Sequence, residues 1–235
     1  MTTQIHGISS MATRQVLVDL AASYSRRTGV RVLIESAGGV DVARRIQAGE
    51  PFDVVFLAAY AIDMLASAGL ILAGSSVDLM RSGVAVAVRA GACRPDIGTE
   101  AALRAAVLGA RSIGYSTGPS GVALARLFER WGIAAQVQDR IVMPPPGTPV
   151  GSLVASGAVE LGFQQLSELM HLPGIEVLGP LPDAVQIMTT FSAGICRTCR
   201  NIDAARAMLA DMQSPQALAA KRAQGMEPAD RTGHI

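Results

Sequence analysis

Two stretches of the chain carry residues that could do chemistry on a small anion. In Ile113 to Ile133 the hydroxyls of Ser116, Thr117 and Ser120 are interleaved with Gly118 and Gly121, just ahead of an amphipathic run. A helix start of this kind offers unpaired backbone N–H groups and the positive end of the macrodipole, and so binds anions. The second stretch lies in the N-terminal third. Ser9 and Ser10 end a short apolar run, and Gly38 and Gly39 stand in SAGGV at the head of another helical run. Gln164 and Gln165 could read ligand oxygens or cap the helix that follows them. Few groups near these loops can give or take a proton: His6 on the first strand, Glu35 at the end of the second, and Tyr60 and Tyr115 beside loops. Arg14 and Arg44 open helices at the same loops, where each could fork a carboxylate.

Positioning these residues falls to a chain of 235 residues, long enough for one large core or two smaller ones. Hydrophobic residues make up 50% and aromatics 4%, so Ala, Val, Leu and Ile must fill the interior, as suits an α/β protein with a buried parallel sheet. A formal net charge of +1, with basic residues scattered singly, gives no nucleic-acid footprint. Lys221 is the only lysine, which argues against Schiff-base chemistry. No apolar run reaches the length of a membrane span, so no membrane insertion is expected. The N-terminus shows no basic region followed by an apolar one, so a cytoplasmic protein is expected unless a leader was removed. The three cysteines fit a reducing compartment. Cys196 and Cys199 form a lone CxxC with no second pair or histidine cluster, so neither a metal site nor any cofactor is expected.

The order of elements follows from periodicity and turn signals. Gln4 to Ile8, Val30 to Glu35 and Phe52 to Leu57 read as strands, each followed by a helical run: Ala12 to Arg27, Val40 to Gly49, and Ile62 to Ala68. Three βα units in about seventy residues predict a doubly wound sheet. Val84 to Arg89 reads as a crossing strand into a second lobe. That lobe contains a helix over Glu100 to Leu108 and strands over Arg111 to Tyr115, Gln136 to Met143, Leu161 to Gln165 and Ile175 to Leu178. A helix over Pro149 to Ser156, entered through the capping residue Thr148, and one over Leu166 to Met170 complete it. Gln186 to Ile195 reads as the returning strand. Helices over Asp203 to Gln213 and Pro215 to Gly225 follow, then a polar tail from Asp230 to Ile235 expected to fray. The expected division is therefore residues 1–83 with 191–235 as lobe 1 and 84–190 as an inserted lobe 2, with two hinge crossings and the loops at the strand C-termini facing one cleft.

Taken in order, ISSMATRQVL, SAGGVDVARRIQAGEPFDVVFLAAYAIDML and PVGSLVASGAVELGFQQLSEL resemble the molybdate-binding branch of the type II periplasmic binding proteins, over about Gln4 to Gly225. The resemblance implies two lobes that hold an anion with hydroxyls and backbone amides. By position it implies contacts from Ser10 and Gly39 in one lobe, and from Ser120 or Gly121, Val150 and Gln165 in the other. The chain departs from the molybdate pattern at Gly39, where that pattern has serine, and at Gln165, where it has tyrosine. Both departures fit the aconitate isomerases better, a group that looks like a recruited member of the same binding proteins and works without a cofactor. That resemblance implies an allylic proton shift on a small unsaturated di- or tricarboxylate. Such a shift needs a base and donors aimed at the developing enediolate; His6, Glu35 and Tyr115 are the groups available as base. The alternative is the solute-binding component of an importer for molybdate or another small oxyanion or carboxylate, which would add a permease as partner.

Overall fold

Strand residues that alternate between two apolar faces dictate a sheet with helices on both sides, and the computed structural model, which describes residues 3–145 and 147–229, has this arrangement. The expected fraying tail and Pro146 lie outside the described residues. The elements run β1 (Gln4–Ser10), α1 (Arg14–Thr28), β2 (Arg31–Ala37), α2 (Gly39–Gln47), β3 (Val54–Ala58), α3 (Ala59–Ser67) and β4 (Val77–Arg89). Then come α4 (Glu100–Gly109), β5 (Ile113–Tyr115), α5 (Pro119–Arg130), α6 (Ala134–Val137), β6 (Ile141–Val142), α7 (Val150–Ser156), β7 (Leu161–Gln165), α8 (Leu166–Leu169) and β8 (Ile175–Pro180). The chain finishes with β9 (Met188–Ile195), α9 (Ile202–Met212), α10 (Leu218–Ala223) and β10 (Glu227–Pro228).

It divides into two compact units, one made of the residues up to Arg81 and from Thr190 on, the other of Ser82–Thr189. The chain passes between them twice, within β4 and within β9.

In the first unit β1 pairs in parallel with both β2 and β3, and β3 pairs antiparallel with β9. Period-two alternation splits each strand between two cores. Ile5, Val54 and Phe56 face a cluster shared with Leu17 and Leu20 of α1 and Met208 of α9, while Ile8, Val55 and Leu57 face Val42 and Ile46 of α2 and Ile62 of α3. In the second unit β5 is parallel to β6 and β7, and β4 pairs antiparallel with β7 and β8. Here Val84, Val86 and Val88 join Ile113, Leu124 and Phe128 on one face, and Ala85 and Ala87 meet Leu169 on the other.

Four sequence expectations are corrected. Gln136 to Met143 is not one strand. Ile133 and Val137, four apart and fully buried, turn into the core as helical neighbours do, and only Ile141–Val142 pairs with β5. The crossing strand begins at Val77 rather than Val84, because Met80 and Arg81 already pair with β10. The returning strand begins at Met188, after a single turn of 3-10 helix at Asp183–Val185. The N-cap of α7 is Pro149 rather than Thr148.

Candidate functional site

Loops at the C-terminal ends of parallel strands collect the candidate residues, and each unit is described by itself. In the first unit β1 ends at Ser9 and Ser10. Ser9 is fully buried and its hydroxyl shares a hydrogen bond of 2.8 Å with Ser36 Oγ, so it braces β1 against β2. Ser10 is 8% exposed, and its carbonyl accepts from Thr13 Oγ1 at 3.2 Å. Gly39 lies against it: a Cβ on Gly39 would stand 3.9 Å from Ser10 Cβ. This brings Ser10 and the SAGGV loop together. Gly38 is the N-cap of α2 and accepts from Val42 N at 2.9 Å, with no side chain capping the first turn. Tyr60 stands in the first turn of α3 with 54% of its surface exposed. Arg44 is ion-paired to Asp41, whereas Arg14 is exposed with no ion pair among the described residues.

The same unit brings His6 and Glu35 together. They touch each other, Nε2 to Oε1 at 2.9 Å, on an exposed flank of the sheet. Arg45 holds the other Glu35 oxygen at 3.1 Å and Glu50 at 2.7 Å, and lies 5.0 Å from the centre of the Phe52 ring, on which His6 also rests. His6 stands four residues before Ser10, roughly 13 Å along an extended strand. The pair belongs to an ion network, with Glu35 two residues before the end of β2.

In the second unit the opening stretch forms as read, and the structure sharpens it. Gly118 is the N-cap of α5 and Pro119 occupies its first position, where it has no N–H to leave unpaired. Gly121 N and Val122 N both donate to Gly118 O, at 3.0 and 3.1 Å. The first-turn donor left without a backbone partner among the described residues is Ser120 N. Beside it, Ser116 Oγ and Ser120 Oγ lie 3.2 Å apart. Gly121 is obligatory: a Cβ there would fall 1.6 Å from the Ser116 carbonyl oxygen. Thr117 lies in the bend between β5 and α5.

Tyr115 closes β5 but packs into the apolar core, 9% exposed and edge-on to Phe128 at 6.2 Å. Burial pushes its phenol above the ordinary value by disfavouring the phenolate.

Val150, fully buried, starts α7. The helix can lie on the sheet because β5 and β7 carry glycines beneath it: a Cβ on Gly114 would stand 3.2 Å from Val150 Cγ1, and one on Gly162 would stand 2.4 Å from Val154 Cγ2. Gln164 and Gln165 point to opposite faces of β7, both 4% exposed. Gln164 Oε1 accepts from Gly151 N at 3.2 Å, which fixes the start of α7. In the amide orientation that satisfies both ends, Gln165 accepts from Thr189 Oγ1 at 2.7 Å and donates to the Ser82 carbonyl at 3.0 Å. It therefore ties together the two positions at which the chain leaves this unit.

A residue that sequence reasoning missed stands just beyond. Glu168 is the third residue of α8, partly buried, with the Gln164 side chain favouring its charged form. Desolvation outweighs that contact and pushes the carboxyl up to about 7. In the sequence it looks like any acidic residue in the first turn of a helix.

The CxxC is a tight turn in the first unit, Cys199 N donating to Cys196 O at 3.0 Å. Burial pushes the Cys196 thiol up to about 12 and that of Cys199 to about 11, so neither is a reactive thiolate.

Alternating strands with helices on both faces, in two units linked by two crossings and with glycine- and serine-rich strand ends, define a solute-binding protein. The chain belongs to the family described as bacterial extracellular solute-binding protein, whose model matches residues 5–227. It is 37% identical over 227 residues to an aconitate isomerase from Pseudomonas sp., covering 94% of this chain and 86% of that protein. The fold is the two-lobe type II periplasmic-binding fold. The periplasmic molybdate-binding protein of Azotobacter vinelandii matches with a TM-score of 0.80 and 24% identity, over 96% of this chain and all of that one. A sulfate-binding protein of Mycobacterium tuberculosis matches with a TM-score of 0.77 and 16% identity, over 97% of this chain and 88% of that one. No helix among the described residues is long and apolar enough to cross a membrane.

Proposed function

We propose that this protein is an aconitate isomerase: it binds an unsaturated tricarboxylate and moves one allylic proton, without a cofactor. The observation that carries this reading is the 37% identity to the Pseudomonas enzyme over nearly the whole chain. The donor set supports it. In the second unit Ser120 N, the Ser116 and Ser120 hydroxyls and the amide of Val150 are the proposed carboxylate contacts, with Thr117, Gly121 and Gln164 shaping them and Gln165 joining them to the chain crossings. In the first unit Ser10, Gly38, Gly39 and Tyr60 take the same role, Ser9 bracing them from behind, and Arg14 is the guanidinium available to fork a further carboxylate.

In the reaction a C–H bond of the substrate methylene breaks and the electron pair spreads through the adjacent double bond onto a carboxylate. Hydrogen-bond donors held in place stabilise that enediolate. The proton then returns to the other end of the allylic system, and the new double bond closes in the other geometry. Nothing is oxidised or reduced.

A second reading, a binding component for an oxyanion such as molybdate with a permease as partner, is favoured by the description of the matching family and by the molybdate-binding fold neighbour. Thermal-shift titration separates the two. Aconitate should raise the melting temperature by several degrees near saturation while molybdate leaves it unchanged. Stabilisation by molybdate and by no aconitate would overturn the isomerase reading.

A further inference from the structure

A fold needs glycine where the backbone takes a positive φ or where a neighbour leaves no room for a Cβ; elsewhere in a helix glycine is less stable than alanine. Eleven of the described glycines take a positive φ, and eight more would press a Cβ to 3.3 Å or nearer to a neighbouring atom. Four have neither reason: Gly38, Gly39, Gly109 and Gly118. Gly109 is the exposed last residue of α4. The other three stand at the two loops proposed to hold carboxylates, Gly38 and Gly39 in the first unit and Gly118 in the second.

Gly39 is the sharpest case. It is the exposed first residue of α2, and a Cβ there would meet only Leu57 Cδ2 at 3.7 Å and Ser10 Cβ at 3.9 Å, both ordinary contact distances. Alanine would therefore fit the fold and would suit the helix better. Glycine instead leaves bare backbone directly beside Ser10. Side-chain capping is missing at the same place. Helices α4 and α9 start with Thr99 and Asn201, whose side chains accept from Ala102 N and Ala204 N at 3.1 Å each. Helices α2 and α5 start with Gly38 and Gly118 and have no side-chain cap. A ligand oxygen that reaches the backbone of α2 can act as the acceptor there.

Resting on the isomerase reading, we infer that Gly39 is a specificity-determining residue: its missing side chain gives a third carboxylate room against the backbone beside Ser10, so that the site prefers a tricarboxylate to a shorter dicarboxylate. The carboxylate accepts from the uncapped N–H groups at the start of α2 and from the Ser10 hydroxyl, and it occupies the space that a Cβ on Gly39 would take. A methyl group there lifts the carboxylate off the backbone and stretches those hydrogen bonds beyond their effective length. A dicarboxylate can sit back from the loop and keep its other contacts, so it responds less. Selection is by room, because alanine and glycine are equally uncharged.

The test is Gly39→Ala in the full chain, set beside Gly109→Ala. Binding of trans-aconitate is measured by calorimetry and its isomerisation by chromatography, with fumarate as the shorter competitor. Gly39→Ala should weaken trans-aconitate binding about tenfold or more, the usual cost of one methyl group too many in a packed contact. The loss should fall on KM, with kcat changed by less than about threefold, since no proton-transferring group is touched. The inhibition constant of fumarate should change by less than about threefold. Both variants should melt about 1 to 3 °C above wild type, because alanine fits both positions and restricts the unfolded chain. Gly109→Ala should bind trans-aconitate as wild type does. Trans-aconitate affinity of Gly39→Ala within about threefold of wild type, or an equal loss for fumarate, would overturn the role of Gly39 and leave the isomerase reading standing. Weaker binding together with a lower melting temperature would make Gly39 a glycine that the fold itself needs, and would overturn the inference too. Failure of the wild-type protein to isomerise aconitate would remove the isomerase reading itself, and the tricarboxylate preference with it.

Discussion

Two carboxylates in this molecule have opposite surroundings. Glu35 lies on an exposed flank with a histidine on one oxygen and an arginine on the other, whereas Glu168 is desolvated, with the Gln164 side chain favouring its charged form. By residue type, His6 with Glu35 looks like acid–base machinery. In the fold, His6 holds one Glu35 oxygen and Arg45 the other. The difference teaches that the neighbours a carboxylate lacks decide its chemistry, more than those it has.

The sharpest break of this comparison sets Glu168→Gln beside Glu35→Gln. The first removes a desolvated carboxyl and should raise the melting temperature above that of wild type at pH 8. The second should change stability by no more than about 1 kcal/mol, as for other exposed ion pairs. Equal losses would dissolve the contrast. Next in size is Gly121→Ala. Its methyl would collide with the Ser116 carbonyl, so the α5 start must shift, and aconitate affinity measured by calorimetry should fall by about tenfold or more.

A smaller effect is expected of Tyr115→Phe. If Tyr115 is a neutral core phenol, turnover should stay within about tenfold; a larger loss with aconitate affinity unchanged would return the base to Tyr115. Away from the site, Lys221 is 2% exposed and donates to the Leu79 carbonyl at 2.7 Å, and burial holds it down at about 8. Because that value lies below the unfolded one, wild-type stability should rise with pH from about 8 to about 10.5, by about 3 kcal/mol if Lys221 acts alone. Lys221→Met should abolish that rise in denaturant titrations at pH 7.5 and 10.

Much of the fold was legible because its signals are local. The largely apolar run of Phe52 to Leu57 and the glycines ahead of Val40 and Val122 mark strands and helix starts wherever they occur. The first half of β4 was not, since Val77 to Gly83 mixes Asp78, Arg81 and Ser82 with apolar residues and becomes a strand only by pairing with distant partners such as β10. At the candidate site the glycine- and serine-rich loops were readable, Gly121 included. Its strict need came into view only with the Ser116 carbonyl beneath it. The hold of Gln164 on Gly151 N and the packing of Leu169 and Leu172 against Gly151 are contacts that no spacing in the chain announces.

The most direct test of the account is to incubate the purified protein with trans-aconitate and follow the vinyl and methylene proton signals by NMR. The account predicts conversion to a mixture of trans- and cis-aconitate, at a rate proportional to protein and without added metal or cofactor. An unchanged spectrum, from a protein that nevertheless binds aconitate or molybdate tightly, would make this chain a binding protein only.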